Sequence, residues 1–222
     1  VMKIQRQSIG DIRSAMSRRE FVLYYQPKVN MSTGEVVGAE ALIRWQHPER
    51  GLVPPLAFLP AIEGHAISLE LGDWVIDTAL NQISHWCSMG LQIPVSVNVS
   101  AYQLQCDNFT TRLAASLESH PEVNPYFLEL EILETSALND IKKVSDTMNA
   151  CLDLGVRFAL DDFGTGYSSL TYLKRLPAHL IKIDQSFVRD MLEDADDLSI
   201  VEAVIGLAKA FQLEVIAEGV ET

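Results

Sequence analysis

Val156-Arg157-Phe158-Ala159-Leu160-Asp161-Asp162-Phe163-Gly164-Thr165-Gly166 reads as an apolar strand that runs into two adjacent acids and then a glycine loop. Neighbouring carboxylates at the end of a buried strand repel each other unless cations bridge them. Glycines tolerate positive φ, so the segment after the acids is able to fold tightly over a ligand. A phosphate-cradling nucleotide loop is the rival reading, but the string lacks both its spacing and its lysine. Ordinary turn chemistry is the plain alternative.

Polar groups recur in the other strand-like runs. Val36 to Trp45 carries Glu40, Pro94 to Val99 carries Asn98, and Phe127 to Leu133 carries Glu129 and Glu131 with Glu134 just beyond. Leu180 to Ile183 carries Lys182, and Leu213 to Ala217 is followed by Glu218; Phe21 to Pro27 is the remaining run. Apolar residues at helical spacing lie between most of them, in Leu71 to Met89, Ile141 to Leu154 and Ile200 to Phe211, with a first helix over Ile9 to Arg19. Strands alternating with helices predict right-handed crossovers and a parallel sheet. The short link Asn30 to Glu35 suits a hairpin, so an antiparallel pair opens the fold. In an open sheet ligands gather at one crevice, whereas a barrel points every strand end into one mouth. Polar groups on nearly every strand therefore favour a closed TIM-like (β/α) barrel. Seven runs are found where eight are needed, so the last β/α unit is expected to be missing from this chain.

Composition narrows the function. With 222 residues, 48% of them apolar and 21% charged, the chain is expected to form one globular domain. A net charge of -13 argues against DNA binding, which needs a basic face, and a phosphate-ester ligand would need cations to offset the repulsion. No apolar run is long enough to cross a bilayer and no signal-peptide core is present, so a cytoplasmic domain without direct membrane contact is expected. Cys87, Cys106 and Cys151 are odd in number and widely spaced, against a disulfide framework or zinc site. The five histidines are scattered, and no serine-hydrolase order stands out.

Each polar residue keeps a bland reading beside the functional one. Glu40, Leu42 and Arg44 share a strand face, as a metal ligand with a pocket wall and a phosphate-binding guanidinium, or as a simple Glu40 to Arg44 ion pair. Asn98 is either a ligand or a turn former and helix cap. Glu129 and Glu131 share a face, and the alternative to a carboxylate cluster is a solvated edge. Lys182 needs a carboxylate partner if it lies inside, or else it marks a surface edge.

Taken in order, Tyr25-Gln26-Pro27, Glu40-Ala41-Leu42-Ile43-Arg44-Trp45, Pro55-Leu56-Ala57-Phe58-Leu59-Pro60, Asn98-Val99-Ser100, Glu131-Ile132-Leu133-Glu134, Asp161-Asp162-Phe163-Gly164-Thr165-Gly166, Lys182-Ile183-Asp184 and Glu218-Gly219-Val220-Glu221 closely resemble the EAL-domain family. The resemblance covers residues 12–222, leaving 1–11 as a linker or helix start. It implies a modified TIM-like barrel that hydrolyses cyclic di-GMP to linear pGpG by in-line attack of metal-activated water, with a non-catalytic cyclic di-GMP receptor as the alternative. Glu40, Asn98, Glu131 and Asp161 match ligands of one metal; Asp161 would bridge to a second, completed by Asp162 and Glu218. The metals implied are Mg2+ or Mn2+, with Ca2+ inhibitory. Lys182 matches the group that holds the attacking water or steadies the phosphate, and either Lys182 or Glu218 shuttles the proton. Glu134 matches the glutamate that pins the Asp-Phe-Gly loop. Gln26, Leu42, Arg44, Pro55, Asp184 and Glu221 match substrate-pocket and supporting positions. The family also implies a homodimer, often fused to sensory or GGDEF-type domains. Two departures are visible: Leu133 stands where threonine is usual, and the chain stops at Thr222 before the expected last helix and strand.

Overall fold

A computed structural model of the chain describes residues 2–137, 140–165 and 173–220. The chain divides into two compact units, one formed by residues up to 98 with 111–128, the other by 99–110 with those from 129 onward.

In the first unit, β1 (Phe21–Val29) and β2 (Val36–His47) form the expected antiparallel hairpin. Asn30 closes it: its side chain accepts from the Ser32 and Thr33 amides, and its backbone bonds to Glu35 and Gly34. The short β3 (Gly51–Val53) pairs antiparallel with one edge of β2, and β4 (Val95–Asn98) pairs parallel with it. The hairpin register puts Tyr25 opposite Ala41 and Phe21 opposite Trp45. That face is apolar and packs on the helix Ala66–Ser88 and the segment before it, with Phe21 and Trp45 against Phe58, Ile67 and Leu71 and the Tyr25 ring 5.0 Å from Trp86. Burying each such side chain stabilises the unit by about 2 kcal/mol. Gly38 lies where a Cβ would come within 3.2 Å of the Pro94 carbonyl, so a larger residue would push β2 a few tenths of an ångström from the residue before β4.

In the second unit, β5 (Leu128–Leu133), β6 (Arg157–Phe163), β7 (Leu180–Ile183) and β8 (Glu214–Ala217) pair parallel in that order. The helix Ile141–Leu152 links β5 to β6, and Gln185–Asp190 with Ala195–Phe211 links β7 to β8. Leu128, Leu130 and Ile132 are buried on one face of β5, and Glu129 and Glu131 are buried on the other. The solvated-edge reading of those acids is thus overturned.

All seven expected strand runs are present, and β3 is a short addition to the hairpin that three residues could not signal by alternation. The helices Ala101–Leu104, Phe109–Glu118, Glu134–Ala137 and Gln185–Asp190 were not anticipated; three of them span only four to six residues, too few for a helical period to show. The first helix runs from Met2 to Ser17, so the boundary drawn at Ile12 falls inside it. One strand differs in kind: β6 continues past Leu160 to Phe163, so Asp161 and Asp162 lie within the strand and not after it. Among the described residues no helix is long and apolar enough to cross a membrane.

Candidate active site

The departure in β6 builds the site. Leu160 pairs with Ile181 and Phe163 with Ile183, so three steps along β6 match two along β7. The extra residue is a bulge, and Asp162 takes it up with φ +52°, a left-handed conformation that aspartate tolerates better than most residues. In a regular strand, consecutive side chains point to opposite faces. The bulge instead brings the carboxylates of Asp161 and Asp162 together with that of Glu218, with ligand oxygens all within 4.8 Å of one another. Burial, then the charge of Asp161 and the contact with Asp184, push the Asp162 carboxyl up to about 6 against the opposing pull of Lys182. Burial and the neighbouring carboxylates thus both oppose ionisation of Asp162.

Lys182, in the middle of β7, sits at the hub of these acids. Its Nζ lies 2.7 Å from Glu131 Oε2, 3.0 Å from Asp161 Oδ1 and 2.7 Å from Glu218 Oε1. The lysine is 2% exposed and Glu131 is fully buried. Such burial is tolerable for charges only when they are paired and hydrogen-bonded, as here. Glu218 follows β8 and is fixed by its amide, which donates to the Ile183 carbonyl at 3.1 Å. Gly219 then turns with φ +68°, and a Cβ there would meet the Gln185 Cβ at 2.6 Å.

Supporting residues surround the cluster. Glu134 Oε2 accepts from the Gly164 amide at 3.2 Å, tying the start of the loop after β6 to the end of β5. Asp184 caps the helix Gln185–Asp190 by accepting from the Ser186 amide at 2.9 Å. Burial alone would raise its carboxyl, but hydrogen bonds from Ser186 hold it below the ordinary range. Leu133 lies opposite Asp161 in the register, on the Glu131 face, and is exposed. Glu221 and Gly166 lie outside the described residues.

The first unit gathers four of the other predicted residues on the hairpin face away from its core. Glu40, Leu42 and Arg44 alternate onto that face, and Gln26 stands directly opposite Glu40. Asn98 Nδ2 donates to Glu40 Oε1 at 2.9 Å, and Ser100, not Asn98, caps the next helix through a capping box with Gln103. Arg44 donates to the Ile43 carbonyl at 2.9 Å. Pro55 opens a 3-10 turn after β3 and is partly buried.

Sequence reasoning missed two groups. Lys28 shares the Gln26 face and donates to the buried Ser96 hydroxyl. The hairpin register, read on from the Gln26 and Glu40 pair, was the signal that could have found it. Glu129 lies 3.0 Å from His179 Nε2 and 3.7 Å from Arg157, an ion cluster at the opposite ends of β5 and β6 from the acids. His179 is one of five scattered histidines, and no local signal links it to a residue fifty positions earlier in the sequence.

Three carboxylates offering hard oxygen donors within this span fit a divalent cation. The EAL domain family model matches residues 9–222. The bifunctional diguanylate cyclase/cyclic di-GMP phosphodiesterase MucR of Pseudomonas aeruginosa is 41% identical over 219 residues, which is 98% of this chain and 32% of that protein. The cyclic di-GMP phosphodiesterase PdeR of Escherichia coli is 40% identical over 214 residues, 96% of this chain and again 32% of the relative. The chain thus spans about a third of the length of these curated relatives. A solved structure of the MucR phosphodiesterase in complex with c-di-GMP superposes with a TM-score of 0.92 at 40% identity, covering 97% of this chain and 87% of that one. The strand pattern, the family match and this superposition agree, and the chain belongs to the EAL domain family, whose fold is a modified (β/α) barrel with an antiparallel first strand.

Proposed function

We propose that this chain hydrolyses cyclic di-GMP to linear pGpG in a reaction that depends on Mg2+ or Mn2+. Family membership and the named activities of MucR and PdeR support the substrate class. The observation that carries hydrolysis over mere binding is the bulge-built trio of Asp161, Asp162 and Glu218 closed around Lys182. A receptor needs a pocket for the ligand but has no use for a clustered set of ionisable oxygens beside a fixed ammonium.

Asp161, Asp162 and Glu218 are assigned to hold a divalent cation, with Glu40, Asn98 and Glu131 as further ligands and Gln26, Leu42, Arg44, Pro55, Asp184 and Glu221 as substrate contacts or their supports. When bound, such cations neutralise phosphodiester charge and make a water more acidic. The chain's own residues do the rest. Glu131, Asp161 and Glu218 keep Lys182 as an ammonium, which has three donors and no acceptor. Lys182 therefore steadies negative charge on the phosphate or orients the water, and it does not take up the proton. Glu218, the more exposed of its partners, is the acceptor within reach. Glu134 keeps the Asp-Phe-Gly turn in place through Gly164. Water adds to phosphorus and the 3′ oxygen leaves, giving a 5′-phosphate and a free 3′-hydroxyl.

Incubation with cyclic di-GMP and Mg2+ or Mn2+, with pGpG followed by ion-exchange chromatography, tests the reading. Turnover that stops with EDTA, with Ca2+ in place of Mg2+, and in Asp161→Asn is expected. Tight binding without turnover would favour the receptor, and neither binding nor turnover would sink the assignment. A homodimer and attachment to sensory or GGDEF-type domains in a cytoplasmic setting complete the proposal, with light scattering as the check on the dimer.

A further inference from the structure

Lys182 and the candidate cation site draw on the same carboxylates. Asp161 and Glu218 contact Nζ at 3.0 and 2.7 Å, and both belong to the trio whose oxygens lie within 4.8 Å. With Glu131 and Asp162, four carboxylates face one ammonium. Ionised, they sum to four negative charges against one positive. One divalent cation leaves these five groups at minus one and two leave them at plus one, a balance that the Glu40 carboxylate assigned above brings to neutral.

The burial pattern says which group Lys182 serves first. Glu131 is fully enclosed and Lys182 nearly so, whereas Asp162 and Glu218 are only partly buried. An enclosed carboxylate without a counter-charge is strongly destabilising, so the pair with Glu131 at 2.7 Å anchors the ammonium from beneath. The contacts to Asp161 and Glu218 are on the side that a cation would share.

We infer that Lys182 is a resident counter-ion of the metal-ligand set: it neutralises Asp161 and Glu218, competes with divalent cations for them, and is drawn back onto Glu131 as those cations load. This rests on the metal-dependent reading above and adds that the ammonium sets the affinity for the cations as well as acting in the chemistry. The function of the arrangement is exchange. A site that is electrostatically too strong holds its ions permanently, and an internal ammonium a few ångströms away weakens it without removing a ligand.

The test is Mn2+ binding to the purified chain without substrate, read by loss of the free-ion electron paramagnetic resonance signal. Lys182→Met keeps the side-chain length and removes the charge, and Lys182→Arg keeps the charge. Lys182→Met is expected to bind Mn2+ about tenfold or more tightly than wild type, since a like charge at this range opposes binding. Lys182→Arg is expected to stay within about threefold of wild type, because the opposing charge is retained. Equal or weaker binding by Lys182→Met overturns the inference while leaving the metal site standing; no Mn2+ binding by wild type overturns the metal reading and the inference together. Should Lys182→Met fail to fold, the ζ-nitrogen resonance of Lys182 in 15N-lysine-labelled wild type decides. It shifts in step with saturation by Mg2+ if the ammonium is drawn back, and an unmoved resonance at saturation refutes it.

Discussion

Replacing Asp162 by asparagine separates what the bulge does for the fold from what it does for the site. Asparagine accepts the left-handed φ of +52° as readily as aspartate and keeps the side-chain shape. It removes one charge from a group in which Asp161 and Asp184 already crowd the carboxyl, and its amide is able to donate to Asp184 where a second carboxylate repels it. The rise of the Asp162 carboxyl from 3.8 to about 6 corresponds to roughly 3 kcal/mol for a fully enclosed group. This carboxyl keeps partial access to water, and screening reduces the figure to about 1 kcal/mol. The folded chain holds the Asp162 proton more tightly than the unfolded chain does. Above pH 6 the carboxylate is ionised in both states and the folded state bears the whole penalty; as pH falls from 6 to 4 the folded state protonates first and the penalty disappears. In EDTA at pH 8, Asp162→Asn should therefore be more stable than wild type by about 1 kcal/mol, a rise of roughly 2–4 °C in melting temperature for a chain of this size. The gap should close toward pH 4.5. Mn2+ at a hundred times its dissociation constant should reverse the order, because it stabilises wild type by about 2.7 kcal/mol and the variant little. Urea unfolding at the two pH values, with and without Mn2+, measures all three terms. A variant less stable than wild type at pH 8 in EDTA, or a difference that persists unchanged to pH 4.5, refutes the account of the bulge as a charge-strained ligand turn.

Gly219→Ala should lower stability by on the order of 2 kcal/mol, about 5 °C, since both its φ of +68° and the 2.6 Å approach of Gln185 oppose a Cβ. Gly34→Ala is the control: φ is +75° with open space around it, so about half that loss is expected by thermal melting, and equal losses would discredit the steric part of the argument. Cys151 is buried, and burial pushes its thiol up to about 11 despite the opposing Thr110 hydroxyl. At pH 8 a disulfide reagent should thus label Cys87 and Cys106 in the native protein but reach Cys151 only after unfolding, and native labelling of all three would contradict the packing around that thiol.

Most strands were legible because their residues are apolar and short runs end at acids or glycines. The hairpin was legible because Asn30 to Glu35 is too short for a crossover. Lys182 was readable as interior because a lysine flanked by Ile181 and Ile183 in a buried strand requires a carboxylate partner, and three acids supply it. What stayed hidden depends on register, which a single strand's pattern does not contain. Lys28 becomes visible only once Gln26 is set opposite Glu40, and the Glu129 and His179 pair only once β5, β6 and β7 are aligned. The bulge is the sharpest case. By alternation, Asp161 and Asp162 belong on opposite faces of β6, which would leave one of them against the core and no cluster at all. Two facts decide otherwise, and neither is local: β7 offers only Lys182 between the partners of Leu160 and Phe163, and that lysine already carries a charge that must be met. The extra residue in β6 thus lets one strand present two acids to one ammonium. A deletion of either aspartate should restore a regular strand and abolish the cluster together, whereas a change of side chain at the same position leaves the turn in place and alters only the charge.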